Sequence, residues 1–323
     1  MLKLAVVILN YGTPDLAIKA AESVLRQLPA RSRLILVDNA SLDDSYSRFL
    51  AWRATLGAAA PVDIILSPRN GGYSAGNNLG LEAARAEFYI LLNSDAFMRA
   101  GSVSRLLEAM ERSTDVGVLG PRLVGPDSRT LVSRFRTPTP LTEFVEASGT
   151  DIFYRLFRAH VTPIENNDPS VEPGWIGFPC IMLRGAMIDE IGRLDERYFM
   201  YFEDIAYCRR AVRAGWKLAQ EPDAVVDHLC GKSSQVEENA DLKRRLPAYY
   251  YASRARFYRD EYGLAGFFAA NLLWYAGRLA SYLRVLTLRK PTKVCAGRAA
   301  DIWTDPDEGR PAMPDSQASG RWR

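Results

Sequence analysis

Glu203 and Asp204 stand side by side directly behind an aromatic, apolar run, Tyr198-Phe-Met-Tyr-Phe202. Ionised carboxylates are costly in such surroundings unless something uses them. Apolar walls push a carboxyl pKa upward, as a general base working near neutral pH requires. The alternative is an acidic first turn of a helix opening near Ile205, where the dipole favours Asp and Glu. Further polar clusters upstream weigh against that alternative: Asn10-Tyr11, Asp38-Asn39, the loop Asn70-Gly-Gly-Tyr-Ser-Ala-Gly-Asn-Asn78, and Asn93-Ser94-Asp95.

Each cluster has its own chemistry. Asn93-Ser94-Asp95 closes an apolar strand and invites a hard divalent cation, Mg²⁺ or Mn²⁺, which prefers oxygen ligands and bridges to phosphates. Asp95 offers a carboxylate and Asn93 a neutral oxygen. His228 is one of 2 histidines; it could be a second ligand or an ordinary structural histidine. Gly72 and Gly76 permit positive φ and close backbone approach to a ligand. Asn77 and Asn78 are expected at the start of a helix running to Ala86, whose N-terminus could hold a diphosphate. Trp175, in Gly174-Trp-Ile-Gly-Phe178, could stack on a sugar ring or be a core aromatic.

These residues need a scaffold. Leu4–Leu9, Leu34–Val37, Val62–Leu66, Phe88–Leu92 and Val116–Leu119 read as short, Val- and Ile-rich strands, apolar on both faces. Helical segments lie between them, one opening at Asp15 and one at Asp43-Asp44. Strands alternating with helices predict an α/β class with a mainly parallel sheet. The polar clusters then follow strand C-termini, the edge at which open α/β sheets bind ligands. No GxGxxG follows the first strand and no GxxxxGK[ST] occurs, which disfavours an ordinary dinucleotide fold and a P-loop. Gly120-Pro-Arg-Leu123 reads as a turn at the sheet edge. Residues 125–172 lack periodicity and read as a loop over the acceptor side.

Composition narrows the classes. The 323 residues are 48% hydrophobic and 24% charged, ordinary for a globular enzyme, and the net charge of +3 gives no case for nucleic acid. Cys180, Cys208, Cys230 and Cys295 form no CxxC pair, so reduced, buried thiols are expected rather than a zinc knuckle or disulfide framework. Leu4–Leu9 is too short for a span and lacks a small-residue cleavage site, so a cytoplasmic chain is expected.

Taken in order, Val7-Ile-Leu-Asn-Tyr-Gly12, Val37-Asp-Asn-Ala-Ser41, Asn70–Asn78, Leu91-Leu-Asn-Ser-Asp95 and Tyr201-Phe-Glu-Asp204 resemble glycosyltransferase family 2, and within it the bacterial rhamnosyltransferase-like branch. The resemblance covers roughly residues 3–235. It implies a GT-A fold, a Rossmann-like nucleotide-binding sheet, and an inverting transferase using a nucleotide-sugar donor and a divalent metal. It implies that Asn10 and Tyr11 meet the nucleotide and that Asp38, with Asn39 beside it, contacts the base. It places Asn70–Asn78 along the ribose and donor sugar, and Asn93, Ser94 and Asp95 at the metal motif, with Asn93 where the wider family has Asp. Asp204 becomes the general base, Glu203 a supporting or acceptor-positioning group, and His228 a neighbour of the metal and diphosphate. The branch suggests L-rhamnose from dTDP-L-rhamnose, and a saccharide or lipid-linked saccharide acceptor in bacterial surface polysaccharide synthesis. The competing readings are a sugar-phosphate nucleotidyltransferase, whose Gly-rich N-terminal signature is missing, and a non-catalytic carbohydrate-binding relative.

The expected organisation is a catalytic domain over 1–235, a helical extension over 236–290 and a disordered tail over 291–323. Gly263–Leu288 is apolar but carries Arg278 and Arg284, which argues against a span. It reads either as an interfacial helix on the inner membrane surface, with Phe267, Phe268, Leu272, Trp274 and Leu283 toward lipid, or as a helix packed on its own protein or on a homodimer partner.

Overall fold

The computed structural model describes residues 1–229, 235–283 and 293–307. The first half runs β1 (Leu2–Asn10), α1 (Pro14–Leu25), β2 (Ser32–Asp38), α2 (Ser45–Thr55), β3 (Val62–Leu66), α3 (Gly72–Ala83), β4 (Ala86–Asn93), β5 (Ala96–Met98), α4 (Ser102–Arg112) and β6 (Val116–Val124). Then come β7 (Arg134–Phe135), α5 (Pro140–Ser148), α6 (Asp151–Leu156), β8 (Trp175–Ile176), β9 (Cys180–Arg184), α7 (Gly185–Ile191), α8 (Glu203–Arg213) and β10 (Lys217–His228). The C-terminal part holds α9 (Gln235–Asp241), α10 (Ala248–Leu283) and α11 (Arg298–Asp301).

The main sheet has the order β3-β2-β1-β4-β9-β6-β10-β5. β3, β2, β1 and β4 are mutually parallel, as the alternation of strands and helices predicts. β9 inserts antiparallel between β4 and β6, and β5 pairs antiparallel with β10, so the sheet is mixed rather than mainly parallel. Period-2 alternation sends Leu4, Val6 and Ile8 to one face against α1 and α4, and Ala5 and Val7 to the other against α3 and α7. Gly76 and Gly80 let α3 lie against β1: a Cβ at either would collide with Leu9 or Val7. Gly76 therefore serves helix–sheet packing, not the ligand approach expected of it.

Other expectations change as well. Asp15 pairs with Arg48 and makes no cap bond; Asp43 receives the Ser45 amide at the start of α2. Gly120–Leu123 continues straight along β6, where Arg122 donates to the Pro222 carbonyl at 2.8 Å. Residues 125–172 are not simply a loop, for they contain β7, α5 and α6. α5 packs against α10, and the Arg254 guanidinium donates to Glu143 Oε1 at 2.8 Å and to Asn271 Oδ1 at 2.8 Å. Arg298 reaches Glu143 Oε2 at 3.1 Å. The tail expected to be disordered from 291 is ordered over 293–307: Arg245 binds Asp301, and the Tyr275 hydroxyl donates to the Ala299 carbonyl at 2.5 Å. Cys180, Cys208 and Cys295 are buried free thiols; Cys230, Arg284 and Leu288 lie outside the described residues.

Candidate active site

Strand register gathers the polar clusters. Asn10 faces Asp38 across β1 and β2, and Leu9 faces Asn93 across β1 and β4, so three strand ends finish at one edge. His228 ends β10 opposite Ala96, the first residue of β5 and three residues beyond the β4 terminus.

A cavity of about 450 Å³ opens there. Tyr11, Asn39, Asn70, Gly72, Asn93 and Ser94 line it from the sheet edge, and Phe135, Trp175, Tyr201, Glu203, Asp204, His228 and Glu237 complete its wall. Asn10, Asp38, Gly76, Asn77 and Asp95 stand outside this lining. Asn10 and Asp38 build the loop that carries Tyr11. Asp38 Oδ1 accepts Asn10 Nδ2 at 3.0 Å and the Ser41 hydroxyl at 2.5 Å, while Asn10 Oδ1 receives the Thr13 amide at 3.1 Å. Asp38 Oδ2 is outside that network.

The glycine loop is organised differently from the expectation. α3 begins at Gly72, so Asn77 and Asn78 lie inside it. Asn77 donates to the Tyr73 carbonyl at 3.0 Å, and Asn78 donates to the Leu194 carbonyl and Glu196 at 2.9 Å each. The amides at the helix start are also engaged: Gly72 N–H donates to Asn70 Oδ1 at 3.0 Å and Tyr73 N–H to the Phe199 carbonyl at 2.6 Å. A diphosphate therefore finds side chains at this edge rather than an open helix N-terminus. Gly72 is required twice over: its φ is +81°, and a Cβ would strike the Phe199 carbonyl oxygen.

Asp95 is fully buried, and neither carboxylate oxygen takes a hydrogen bond. His228 Nε2 stands 3.5 Å from Asp95 Oδ1. An orphaned buried carboxylate calls for an explanation, and a bound cation is one. One carboxylate and one imidazole would fit part of a divalent-cation site. No group of three His, Cys, Asp or Glu side chains that could hold a metal occurs among the described residues.

Across the cavity, Tyr201 and Phe202 both adopt left-handed backbone, with φ of 68° and 65°, and launch α8 at Glu203. Each such residue costs about 1–3 kcal/mol and persists only if its surroundings enforce it. The rings are braced by α10: Tyr201 packs on Tyr250 at 5.6 Å and Phe202 on Phe257 at 5.7 Å. The Ser253 hydroxyl donates to the Met200 carbonyl at 3.1 Å.

This turn presents Glu203 buried and Asp204 half-buried, and among the described residues neither carboxylate pairs with a cation. Burial first, and then the charge of Asp204, push the Glu203 carboxyl well up; its Oε2 has no partner. Burial pushes Asp204 up to about 7, although the Ile205 amide, donating to its Oδ1 at 2.8 Å, acts the other way. The helix N-terminus would favour the ionised forms; desolvation wins. The alternative of a plain acidic first turn does not account for this upward shift.

Trp175 stacks on Phe135 with centroids 4.2 Å apart, and its indole N–H is buried with no acceptor. The pair offers a flat aromatic surface with one free donor, a combination suited to a sugar face and hydroxyl. Phe135 and Glu237 escaped the sequence reading. Phe135 lies in a segment without periodicity, and Glu237 is one acid of the pair Glu237-Glu238 on α9, with nothing in the sequence to tie it to His228.

With this geometry in view, comparisons identify the relatives. The family model described as Glycosyl transferase family 2 matches residues 5–167. An N-acetylglucosaminyl-diphospho-decaprenol L-rhamnosyltransferase of Mycobacterium tuberculosis is 29% identical over 189 residues, 58% of this chain and 59% of that protein. A low-salt glycan biosynthesis hexosyltransferase, Agl10, of Haloferax volcanii is 24% identical over 221 residues, 67% of this chain and 64% of that one. The chain thus spans less than two thirds of either relative's length. Among solved structures, the Pyrobaculum calidifontis mannosyltransferase PcManGT, in complex with GDP-Man and Mn²⁺, superposes with a TM-score of 0.58 at 12% identity, covering 88% of this chain and 75% of that one. GalNAc-T7 with UDP, GalNAc and Mn²⁺ gives 0.60 at 14%, covering 84% and 50%. At such identities the likeness establishes the fold, a GT-A fold with helices C-terminal to it.

Proposed function

The chain belongs to glycosyltransferase family 2, and from that premise we propose that it is an inverting glycosyltransferase moving a sugar from a nucleoside diphosphate to a hydroxyl of a saccharide, free or lipid-linked. The observation that carries the reading is the raised pair Glu203–Asp204 in the same cavity wall as His228, whose imidazole meets the buried Asp95 carboxylate.

A sugar hydroxyl is a poor nucleophile, and a carboxylate accepting its proton makes it a better one. Asp204 is that base: with Glu203 holding a proton more tightly, Asp204 titrates near neutrality and takes the hydroxyl proton as the new C–O bond forms. The bond to the diphosphate breaks on the opposite face, inverting the anomeric carbon. Glu203 orients the acceptor, and Trp175 with Phe135 holds its ring. Tyr11, Asn39, Asn70 and Asn93 position the donor. Asp95 and His228 would hold a divalent cation, which when bound offsets the charge gathering on the leaving diphosphate. The catalytic unit is taken as 1–235, with 236–290 as its helical extension.

The name of the M. tuberculosis relative favours L-rhamnose as the sugar and a polyprenyl-diphosphate saccharide as acceptor; dTDP-L-rhamnose is the donor proposed. A panel of nucleotide sugars with Mg²⁺ or Mn²⁺ tests both levels, because a ligand of the native state raises its Tm. The donor is expected to raise Tm and to release nucleoside diphosphate slowly without acceptor. A chain that no nucleotide sugar stabilises, and that releases no diphosphate, would overturn the transferase. Stabilisation by a donor other than dTDP-L-rhamnose would overturn only the rhamnose assignment.

A further inference from the structure

α10 is one helix in name only. Gly263, with φ of 69° and ψ of −176°, breaks it, so that Ala248–Tyr262 supports the catalytic turn and Leu264–Leu283 forms a second helix about 30 Å long. Phe267, Asn271, Trp274, Gly277, Arg278 and Ser281 of this second helix are buried against the protein. Arg278 donates to the Ala147 carbonyl of α5 at 3.4 Å and lies over the Tyr282 ring. Phe267 and Trp274 are therefore not free to face lipid, and Arg278 is not free to reach head groups, contrary to the expectation from sequence.

The opposite face is apolar throughout. Leu264, Phe268, Leu272, Leu279, Tyr282 and Leu283 are each more than half exposed, and Tyr275, on the same face, is 39% exposed. At 100° per residue they fall within about a 100° arc, a continuous stripe along the whole helix. From Tyr262 to Leu283 the chain contains no Asp or Glu. Soluble monomers seldom leave so long an apolar strip in water. α5 packs behind this helix, with the Phe144 carbonyl toward the buried Gly277, and sets the Phe144 ring edge-on against Phe153 of α6 at 4.9 Å. α6 exposes Ile152 and Leu156, and Arg155 and Arg158 beside them outnumber the single acid Asp151.

We propose that this stripe is a monotopic membrane-docking face: the second half of α10 lies flat in the interface of an anionic bilayer, exposed side chains among the acyl chains, Arg155 and Arg158 toward phosphate head groups. Among the described residues no helix is long and apolar enough to cross a membrane. A helix with protein on one side and an uncharged face on the other has the pattern of an interfacial one. Lipid is favoured over a second copy of the chain by the composition of the strip: protein interfaces carry a polar rim and directional hydrogen bonds, whereas here tyrosine hydroxyls are the sole polar atoms among the exposed positions. The exposed Arg155 and Arg158 complement anionic head groups. The inference deepens the lipid-linked acceptor reading, since an acceptor held in a membrane needs an enzyme at that surface, but docking is measurable without donor or acceptor.

Sedimentation of the full chain with vesicles decides it. Wild type is expected to pellet with phosphatidylethanolamine–phosphatidylglycerol vesicles, and less with phosphatidylcholine alone. Phe268→Glu with Leu272→Glu and Leu279→Glu, all on the exposed face, is expected to lower partitioning more than about tenfold, since apolar burial drives the attachment. Circular dichroism and nucleoside diphosphate binding should match wild type, showing that the variant is folded. Wild type remaining in the supernatant with both vesicles, or a folded variant that pellets as well as wild type, overturns the proposal. So does light scattering that finds a wild-type dimer turned monomer by the substitutions with no vesicle binding by either. Binding to vesicles by a chain inactive on every nucleotide sugar would leave the docking face standing and the transferase reading fallen.

Discussion

Two clusters of buried acid sit in this chain, and they have opposite fates. Glu143, between α5 and α10, is pushed up by burial, but the charges of Arg254 and Arg298 and hydrogen bonds from Arg254 and Tyr258 outweigh that and hold its carboxyl below the ordinary 4.5. Glu203 and Asp204, at the start of α8, are desolvated in the same way and have no cation among the described residues, so both are pushed up. Burial is common to the two clusters; the partner differs. A carboxylate given a guanidinium serves as a structural tie, whereas one denied it is held ready to take a proton. Asp95 is a third case, fully buried with no hydrogen bond to either oxygen and His228 Nε2 3.5 Å away, as a cation ligand would be.

The sharpest way to break this contrast is to neutralise each cluster in turn. Asp204→Asn keeps the shape of the pair and removes its base. Transfer is expected to fall by about 10²–10⁴-fold with donor affinity almost unchanged. Turnover above half of wild type would remove Asp204 from the role. Arg254→Met should do the reverse. It strips the cation from a carboxylate that stays buried, and breaking such a pair costs about 3–5 kcal/mol of stability. Chemical denaturation should show the loss, while the fraction still folded keeps a near-normal kcat. Because α10 braces Tyr201 and Phe202, a kcat that collapses in the folded fraction would mean that the tie also tunes the catalytic turn.

Asp95→Ala sharpens the third case. Diphosphate binding followed by titration calorimetry should weaken about tenfold or more, as loss of metal-site groups does, and should stop responding to Mg²⁺ or Mn²⁺. A variant whose affinity still rises with metal would dismiss Asp95 as a ligand.

The contrast also explains what could be read in advance. Of the first four parallel strands, β1, β2 and β4 announce themselves as apolar runs ending in Asn or Asp, and there the local pattern and the tertiary role coincide. Glu203-Asp204 was legible because carboxylates behind five apolar or aromatic residues are locally improbable. The antiparallel β9 was not legible: Cys180–Arg184 is a short apolar run whose partner strands lie far away in sequence, and short runs carry no direction. Glu143 and Arg254, 111 positions apart, look like solvated charges on ordinary helices until the fold joins them. Phe135 and Glu237 reach the cavity the same way. The side chains of the proposed docking face were half legible: the sequence shows an apolar helix, but only packing tells that Phe268 and Leu272 face outward while Phe267 and Trp274 face in.

The smallest effect separates the clusters by the sign of their pH dependence. For Glu143 the folded pKa is lowered, so between the two pKa values the unfolded chain binds more protons and stability rises with pH. Its contribution is complete above about 4.5 and is lost as pH falls through the folded value. For Asp204 the folded pKa is raised from 3.8 to about 7, so the folded chain keeps a proton that the unfolded chain releases, and stability declines as pH rises across that window. Asp204→Asn, which cannot ionise, should therefore gain over wild type as pH climbs, the two converging near pH 3 and differing by a few degrees in Tm at pH 8. Glu143→Gln should lose its disadvantage toward low pH, where wild type also surrenders the ionised form. Thermal melts of both variants and wild type across the acid-to-alkaline range give the result directly. Parallel curves for Asp204→Asn and wild type would mean that the pair is not raised in the folded protein, and the base would have to be sought elsewhere in the cavity.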